Sequence, residues 1–129
     1  MVGVSKDDKK PSTIVMKYMQ KYGFKVIPVN PSAKGQKILG EEVFGKLEDI
    51  KTSIDIVDVF RPSTEATKYA EESVKIGAKV LWLQLGIKSL EAKELVENNN
   101  IEYIENRCTK MEYQKLFLNI NPAFPVLQN

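Results

Sequence analysis

Hydrophobic positions recur at two spacings along this chain, and the alternation between them predicts its architecture. In residues 12–22 (STIVMKYMQKY), Val15, Tyr18, Met19 and Tyr22 fall at i, i+3, i+4 and i+7, the stripe of an amphipathic helix. Ser12 is placed as its N-cap and Gly23 as its left-handed stop. The run 24–30 (FKVIPVN) is short, rich in β-branched residues and ended by Asn30-Pro31, so it reads as a strand, with Pro28 as a non-donating position inside it. Residues 31–53 read as a glycine-punctuated loop holding a short strand near Val43-Phe44. SIDIVDVF (53–60) has the near-continuous apolar character of a strand covered on both faces. A helix follows, with Ser63 as its expected N-cap, a stripe through Ala66, Tyr69, Ala70, Ser73 and Val74, and Gly77 as its stop. AKVLWLQLG (78–86) is the next strand, SLEAKELVEN (89–98) a third helix, IEYIE (101–105) another strand, and KMEYQKLFL (110–118) a last helix before a proline-containing tail.

The segments KYGFKVI (21–27) and KIGAKVL (75–81) repeat one order of helix end, glycine and strand start. Helices and strands that alternate through short loops build right-handed βαβ units and a parallel sheet. The fold expected is therefore α/β and doubly wound, Rossmann-like, with a mainly parallel sheet of five to six strands and helices on both faces. Residues 1–129 are expected to form a single domain, without a linker.

Composition narrows the chemistry. With 43% hydrophobic and 28% charged residues and a mean hydropathy of -0.28, the chain is that of an ordinary globular domain, not a disordered one. No apolar run is long enough for a membrane helix, and the first residues carry no signal-peptide pattern, so a cytoplasmic protein without membrane contact is expected. A single cysteine, Cys108, leaves no disulfide framework and no multi-cysteine metal site. There is no histidine at all, which removes serine and cysteine triads, histidine-ligated metals and phosphohistidine intermediates. The net charge is only +2, so nucleic acid is not an expected partner.

In doubly wound sheets ligands settle outside the carboxyl ends of the strands. The residues at issue are then Gly3-Val4-Ser5-Lys6, Asn30-Pro31, Phe60-Arg61-Pro62, Gln84-Leu85-Gly86 and Arg107-Cys108. Loop 3–12 leads into a helix N-terminus and carries Lys6, Lys9 and Lys10. That arrangement suits a phosphate, and equally reads as a turn followed by solvated lysines. It lacks the G-x-G-x-x-G spacing, and Asn30 stands where an NAD-binding domain carries an acid for the ribose, so an NAD(P)-linked oxidoreductase is the weaker alternative. Arg61 is suited to bidentate phosphate contact or to an ion pair with Asp58 or Glu65. Asp58 is either a polar contact near the site or a cap for a neighbouring loop. Cys108 either faces the ligand as a redox-active thiol or is a small buried hydrophobe.

The segments VGVSKDDKKPS, GFKVIPVNP, ILGEEVF, DIVDVFRP, GAKVLWLQLGI and NRC, in that order and over nearly the whole chain, resemble the small stand-alone CoA-binding domain proteins. Those are similar in turn to the N-terminal domain of succinyl-CoA synthetase alpha subunits. The resemblance implies that Gly3, Val4, Ser5 and Lys6 hold the CoA phosphates, with Ser12 opening the helix behind them. It implies that Lys34, offset by one residue after Asn30-Pro31, contacts CoA, and that Leu83, Gln84 and Leu85 ahead of Gly86-Ile87 line the site. Phe60, Arg61 and Pro62 match the family's own Phe-Arg-Pro. Lys6, Lys10, Lys34 and Arg61 would meet the phosphates, and Val4, Pro31 and Phe60 the adenine. The synthetase's phosphorylated histidine belongs to a second domain, so ligase activity does not carry over. The resemblance implies a binder of coenzyme A or an acyl-CoA that acts as a carrier, sensor or regulatory module, with a first strand reduced to Met1–Val4. A homo-oligomer, or a ligand-free subunit of a larger assembly, is compatible with the same residues.

Overall fold

The computed structural model describes residues 1–120. Its regular elements are α1 (Pro11–Lys21), β1 (Lys37–Ile38), β2 (Glu41–Glu42), β3 (Ile56–Val59), α2 (Ala66–Ile76), β4 (Val80–Leu83), α3 (Leu90–Glu97), β5 (Glu102–Ile104) and α4 (Thr109–Tyr113). A π-type turn, Gln114–Leu118, prolongs α4, and the tail beyond it lies outside the described residues. Among the described residues no helix is long and apolar enough to cross a membrane.

The sheet is parallel, in the order β3-β4-β5, with Asp58 opposite Trp82 and Trp82 opposite Ile104. Three strands replace the five to six expected. The remaining positions are reduced to single parallel bridges, Val2 to Val59, Val2 to Val29 and Val29 to Phe44. The run 24–30 is therefore not a strand except at Val29. Pro28 inside the run has no amide to give a ladder. Residues 37–42 form an antiparallel hairpin that the hydrophobic pattern did not reveal, its turn made by Leu39 and Gly40 at positive φ. Residues 43–44, read as a strand, contribute only the bridge at Phe44.

The order of the bridges shows the double winding. From Val2 the chain passes through α1 to Val29 and on to Phe44, then returns to the other side of Val2 as β3. Strands alternate their faces. Val57, Val59, Leu81 and Leu83 pack with Ala66, Tyr69 and Ala70 of α2 and Ala92 and Val96 of α3 in one core. A second core joins Val4, Met16 of α1, Val26, Ala33, Ile38 and Val43. Helices thus cover both faces.

Two of the expected caps fall elsewhere. Lys10 occupies the N-cap of α1, with Pro11 just inside, and Ser12 lies within the first turn. Ser63 belongs to a short 3-10 turn ahead of α2, and its hydroxyl accepts from the Lys88 amide at 3.0 Å. Gly77 ends α2 at φ 68°, as its position predicts.

On the sheet face opposite α2, Asp58 is buried and tied to α4. The Gln84 amide donates to both Asp58 and Thr109 Oγ1, and Thr109 Oγ1 donates to Asp58 Oδ2 at 3.1 Å. Asp58 thus joins the end of β4 to α4 through side chains, rather than capping a loop. Trp82 is half-buried, and its indole N–H donates to Arg107 O at 2.7 Å. Burial pushes the Asp58 carboxyl up to about 6, against the lowering effect of Gln84, the Met1 amino group and Thr109. A raised carboxyl pKa means that the folded state holds its proton where the unfolded state has lost it, so this residue's contribution to stability falls as pH rises from about 4 to 6. Asp58→Asn should remove that fall and gain stability at pH 8; urea midpoints of both proteins at pH 4, 6 and 8 measure it.

Candidate functional site

The topological switch places the carboxyl end of the first segment, Gly3–Ser5, beside the end of β3, Phe60-Arg61. Gly3 has φ +86° and its amide donates to Val29 O at 2.8 Å. A Cβ at Gly3 would stand 2.9 Å from Phe60 O and 2.8 Å from Arg61 Cδ. Both the torsion and the close approach exclude a side chain there. The Arg61 stem lies over this glycine, and its guanidinium forks onto Glu65, Nε to Oε1 at 3.1 Å and Nη2 to Oε2 at 2.7 Å. The Glu65 hydrogen bond, first among the causes, raises the Arg61 pKa and lowers that of Glu65.

Loop 5–10 is folded by its own short side chains. Ser5 Oγ accepts from the Asp7 amide at 3.0 Å, Asp7 Oδ1 from the Lys9 amide at 3.0 Å, and Ser12 Oγ from the Ser5 amide at 3.1 Å. Thr13 Oγ1 donates to Ser5 O at 2.7 Å. Ser12 thus caps the loop rather than the helix. The amides of Val4, Lys6 and Ser12 have no hydrogen-bond partner among the described residues. They lie on the segment that leads from the sheet into the first turn of α1, where open backbone donors suit an anion. The Lys10 side chain is exposed at the helix entrance, and Lys6 Nζ reaches across to Gln36 Oε1 at 2.8 Å.

Asn30 joins the first two loops: Nδ2 donates to Val4 O at 2.9 Å, and Oδ1 accepts from Ser32 N at 3.0 Å and Ser32 Oγ at 2.7 Å. Its polar atoms are engaged in holding the turn Pro31–Ala33. Lys34 follows that turn, its stem resting on Gly45, whose Cβ would lie 3.1 Å from Lys34 Cδ. Pro31 and Pro62 are exposed and Phe60 is half-buried.

Several of the named residues face inward. The Val4 side chain is fully buried in the second core, Leu83 in the first, and the Gln84 side chain in the Asp58 network. These three offer the loops their backbone, not their side chains. Leu85 is exposed, and Gly86, at φ +87°, donates its amide to Asn106 Oδ1 at 2.7 Å. Cys108 is 3% exposed, and burial pushes its thiol pKa up. It is the small buried hydrophobe of the two readings, since a reactive thiol needs exposure and a lowered pKa.

The sequence reading missed Asp7, Gln36 and Asn106, which set the shape of these loops; it named Glu65 as a partner for Arg61, and Ser63 only as a helix cap. Asp7 two residues after Ser5 is a legible turn signal. Gln36 and Asn106 reach partners 30 and 20 residues away and have no local signature.

The donors present fit a nucleotide: open amides behind a glycine that no other residue replaces, with Lys6, Lys10, Lys34 and Arg61 on the surrounding loops. Comparison with known proteins points the same way. Residues 1–114 match the model of the CoA binding domain family. The chain is 34% identical over 113 residues to the uncharacterized protein YneT of Bacillus subtilis, covering 88% of this chain and 82% of YneT. It is 26% identical over 132 residues to an ADP-forming acetate–CoA ligase of Methanocaldococcus jannaschii, of which it spans only 18%. Among solved structures, a Thermus thermophilus protein superposes with a TM-score of 0.87 at 34% identity, over 90% of this chain and 87% of that one. A hypothetical protein of Pyrococcus horikoshii reaches 0.85 at 33% identity, over 89% and 80%. With a family match over nearly its whole length and a Rossmann-like fold shared with these relatives, this chain belongs to the CoA-binding domain family.

Proposed function

We propose that this protein binds coenzyme A or an acyl-CoA by its nucleotide part at the carboxyl ends of the strands, and that it acts as a non-catalytic carrier, sensor or regulatory module. The observation that carries the reading is the Gly3 cradle, with positive φ, no room for a Cβ, and the unpartnered amides of Val4, Lys6 and Ser12 around it. Membership of the CoA binding domain family supports CoA as that nucleotide. Lys6, Lys10 and Lys34 surround the cradle as point charges, and Arg61 supplies a planar fork for a phosphate. The Arg61–Glu65 pair is half-exposed, so it is worth only about 0.2–1 kcal/mol and is readily given up to a phosphate. Asn30 offers a ribose no carboxylate and has its side chain committed to Val4 and Ser32, which argues for CoA over NAD(P). Asp58 and Cys108 are both buried, and the Asp58 carboxylate is engaged by Gln84 and Thr109.

A ligand that binds only the folded state stabilises it by about 2.7 kcal/mol at a hundredfold excess over its Kd, on the order of 10 °C for a domain of this size. CoA or acetyl-CoA should therefore raise the midpoint of thermal unfolding, and NAD(P) should raise it less. A folded sample that does not respond to millimolar CoA, or responds more strongly to NAD(P), overturns the proposal. Ser5→Asp keeps an acceptor for the Asp7 amide but sets a carboxylate beside the open donors. It should abolish the CoA-induced rise while shifting the unliganded midpoint by no more than a few degrees; retained binding in a titration would place the site elsewhere. By calorimetry, Arg61→Ala should weaken CoA binding about tenfold, the loss of one charge-assisted contact. Glu65→Gln should strengthen it about twofold by releasing Arg61; equal affinities in all three proteins would remove Arg61 from the site.

A further inference from the structure

Beyond the Gly3 cradle, the carboxyl ends of β4 and β5 enclose an open-sided hollow of about 500 Å³ lined by Lys88, Tyr103, Ile104, Glu105, Asn106 and Arg107. Its rim is braced between loops. The Gly86 amide donates to Asn106 Oδ1 at 2.7 Å, the Asn106 amide to Ile87 O at 3.1 Å, and the Lys88 amide to Ser63 Oγ at 3.0 Å. Glu105, the one acid among the lining residues, accepts the Tyr103 hydroxyl at 2.7 Å. Lys88 forms no ion pair among the described residues, and Arg107 meets only Glu112, at 3.8 Å, too long for a hydrogen bond. Both cations are exposed, so the hollow presents two charged donors with little protein to satisfy them.

The hollow lies at the distance that the pantetheine arm of CoA spans. From Val2-Gly3 the sheet steps to β3, β4 and β5, three strand spacings of about 4.8 Å, or about 14 Å in all. Between the pyrophosphate and the sulfur of CoA the arm has about twelve bonds, the length of about four extended residues, or about 13–14 Å. Charge sets its direction. Lys6, Lys10 and Lys34 stand on the loops of the other winding, with Lys6 reaching Gln36 there, and that side suits the adenosine and its 3′-phosphate. Past Arg61 toward β4 the loop residues are uncharged: Pro62 and Gly86 are exposed, and Leu85 is 41% exposed. An uncharged arm suits that path, and its sulfur arrives at the mouth of the hollow.

We propose that this hollow receives the acyl end of the ligand, and that the acyl group it takes is a short one ending in a carboxylate, the monothioester of a dicarboxylic acid. The inference rests on the CoA reading above and narrows it to one class of thioester. A hydrocarbon acyl chain would displace water from Lys88 and Arg107 and offer them no acceptor in return. A terminal carboxylate accepts from both, from the planar fork of Arg107 and from the point charge of Lys88, in charge-assisted hydrogen bonds. Half-buried Ile104 lines the same wall and suits the methylenes that precede the carboxylate.

The test is a calorimetric titration with two stable thioethers, S-(3-carboxypropyl)-CoA and S-(3-carbamoylpropyl)-CoA, which match in length and shape and differ in the charge at the end. The acid should bind at least tenfold more tightly than the amide, the gain of a charge-assisted contact. In the double variant Lys88→Met/Arg107→Met the two should bind within about twofold of each other, while CoA itself binds as it does to the unchanged protein. Both side chains are exposed, so the unfolding midpoint of the double variant should move by no more than a few degrees. Equal affinity for the two thioethers in the unchanged protein overturns the proposal and leaves the CoA site standing, and so does a preference for the acid that survives the double substitution. If neither thioether nor CoA binds, the CoA reading falls and this inference falls with it.

Discussion

The hydrogen bonds of Val2 and Gly3 join the two windings of this sheet. Val2 exchanges bonds with Asp58 and Phe60 on one side, and Gly3 and Met1 do so with Val29 on the other. Without this segment the half containing α1 and the hairpin would share no ladder with β3-β4-β5. The strand order reverses at the same place, so the crevice that doubly wound sheets use for ligands is created by the insertion that closes the sheet. Structure and site rest on one segment of very few residues.

That economy explains why Gly3 is constrained twice. Its positive φ turns the chain away from the sheet toward α1, and the missing Cβ lets Arg61 and the Phe60 carbonyl close over it. A side chain there would strain the backbone and also push β3 away from the segment that joins it to the other half. The donors left open behind it at Val4, Lys6 and Ser12 follow from the same turn, because a chain leaving a strand for a helix cannot satisfy its amides from either element.

Below the loops, the polar interior does a different task. Gln84 and Asp58, both near the carboxyl ends of strands, look like ligand contacts on a linear map of the chain. In three dimensions their side chains turn under the sheet and fasten α4 through Thr109. Lys110, the next residue, is fully buried with its ammonium 5.1 Å from the Tyr18 ring and no hydrogen bond among the described residues. Burial, the largest cause, lowers its pKa, and the aromatic face offsets part of the cost of covering the charge. The face of α4 that meets α1 is therefore held by aromatic and polar contacts more than by aliphatic packing.

The sequence by itself determined the fold class, the helices, the parallel strands β3, β4 and β5, the glycine stops, and the family. These depend on periodicity and on residues close together in the chain, where a stripe such as Ala66-Tyr69-Ala70-Ser73 or a positive-φ glycine has a local cause. It also narrowed the chemistry, since the empty histidine column needs no coordinates to be read. Tertiary structure alone decided how much of each apolar run is paired. FKVIPVN has a strand's composition but bridges only at Val29, to Val2 and Phe44, because pairing requires a neighbour whose position the local pattern does not give. It alone decided which way side chains face: Gln84 and Val4 inward, Leu85 outward, Arg61 onto Glu65, and Ser12 back onto Ser5 instead of onto its helix. Local sequence carries no record of contacts made across 20 or 30 residues, and those contacts separate the residues that shape the site from those that meet a ligand in it.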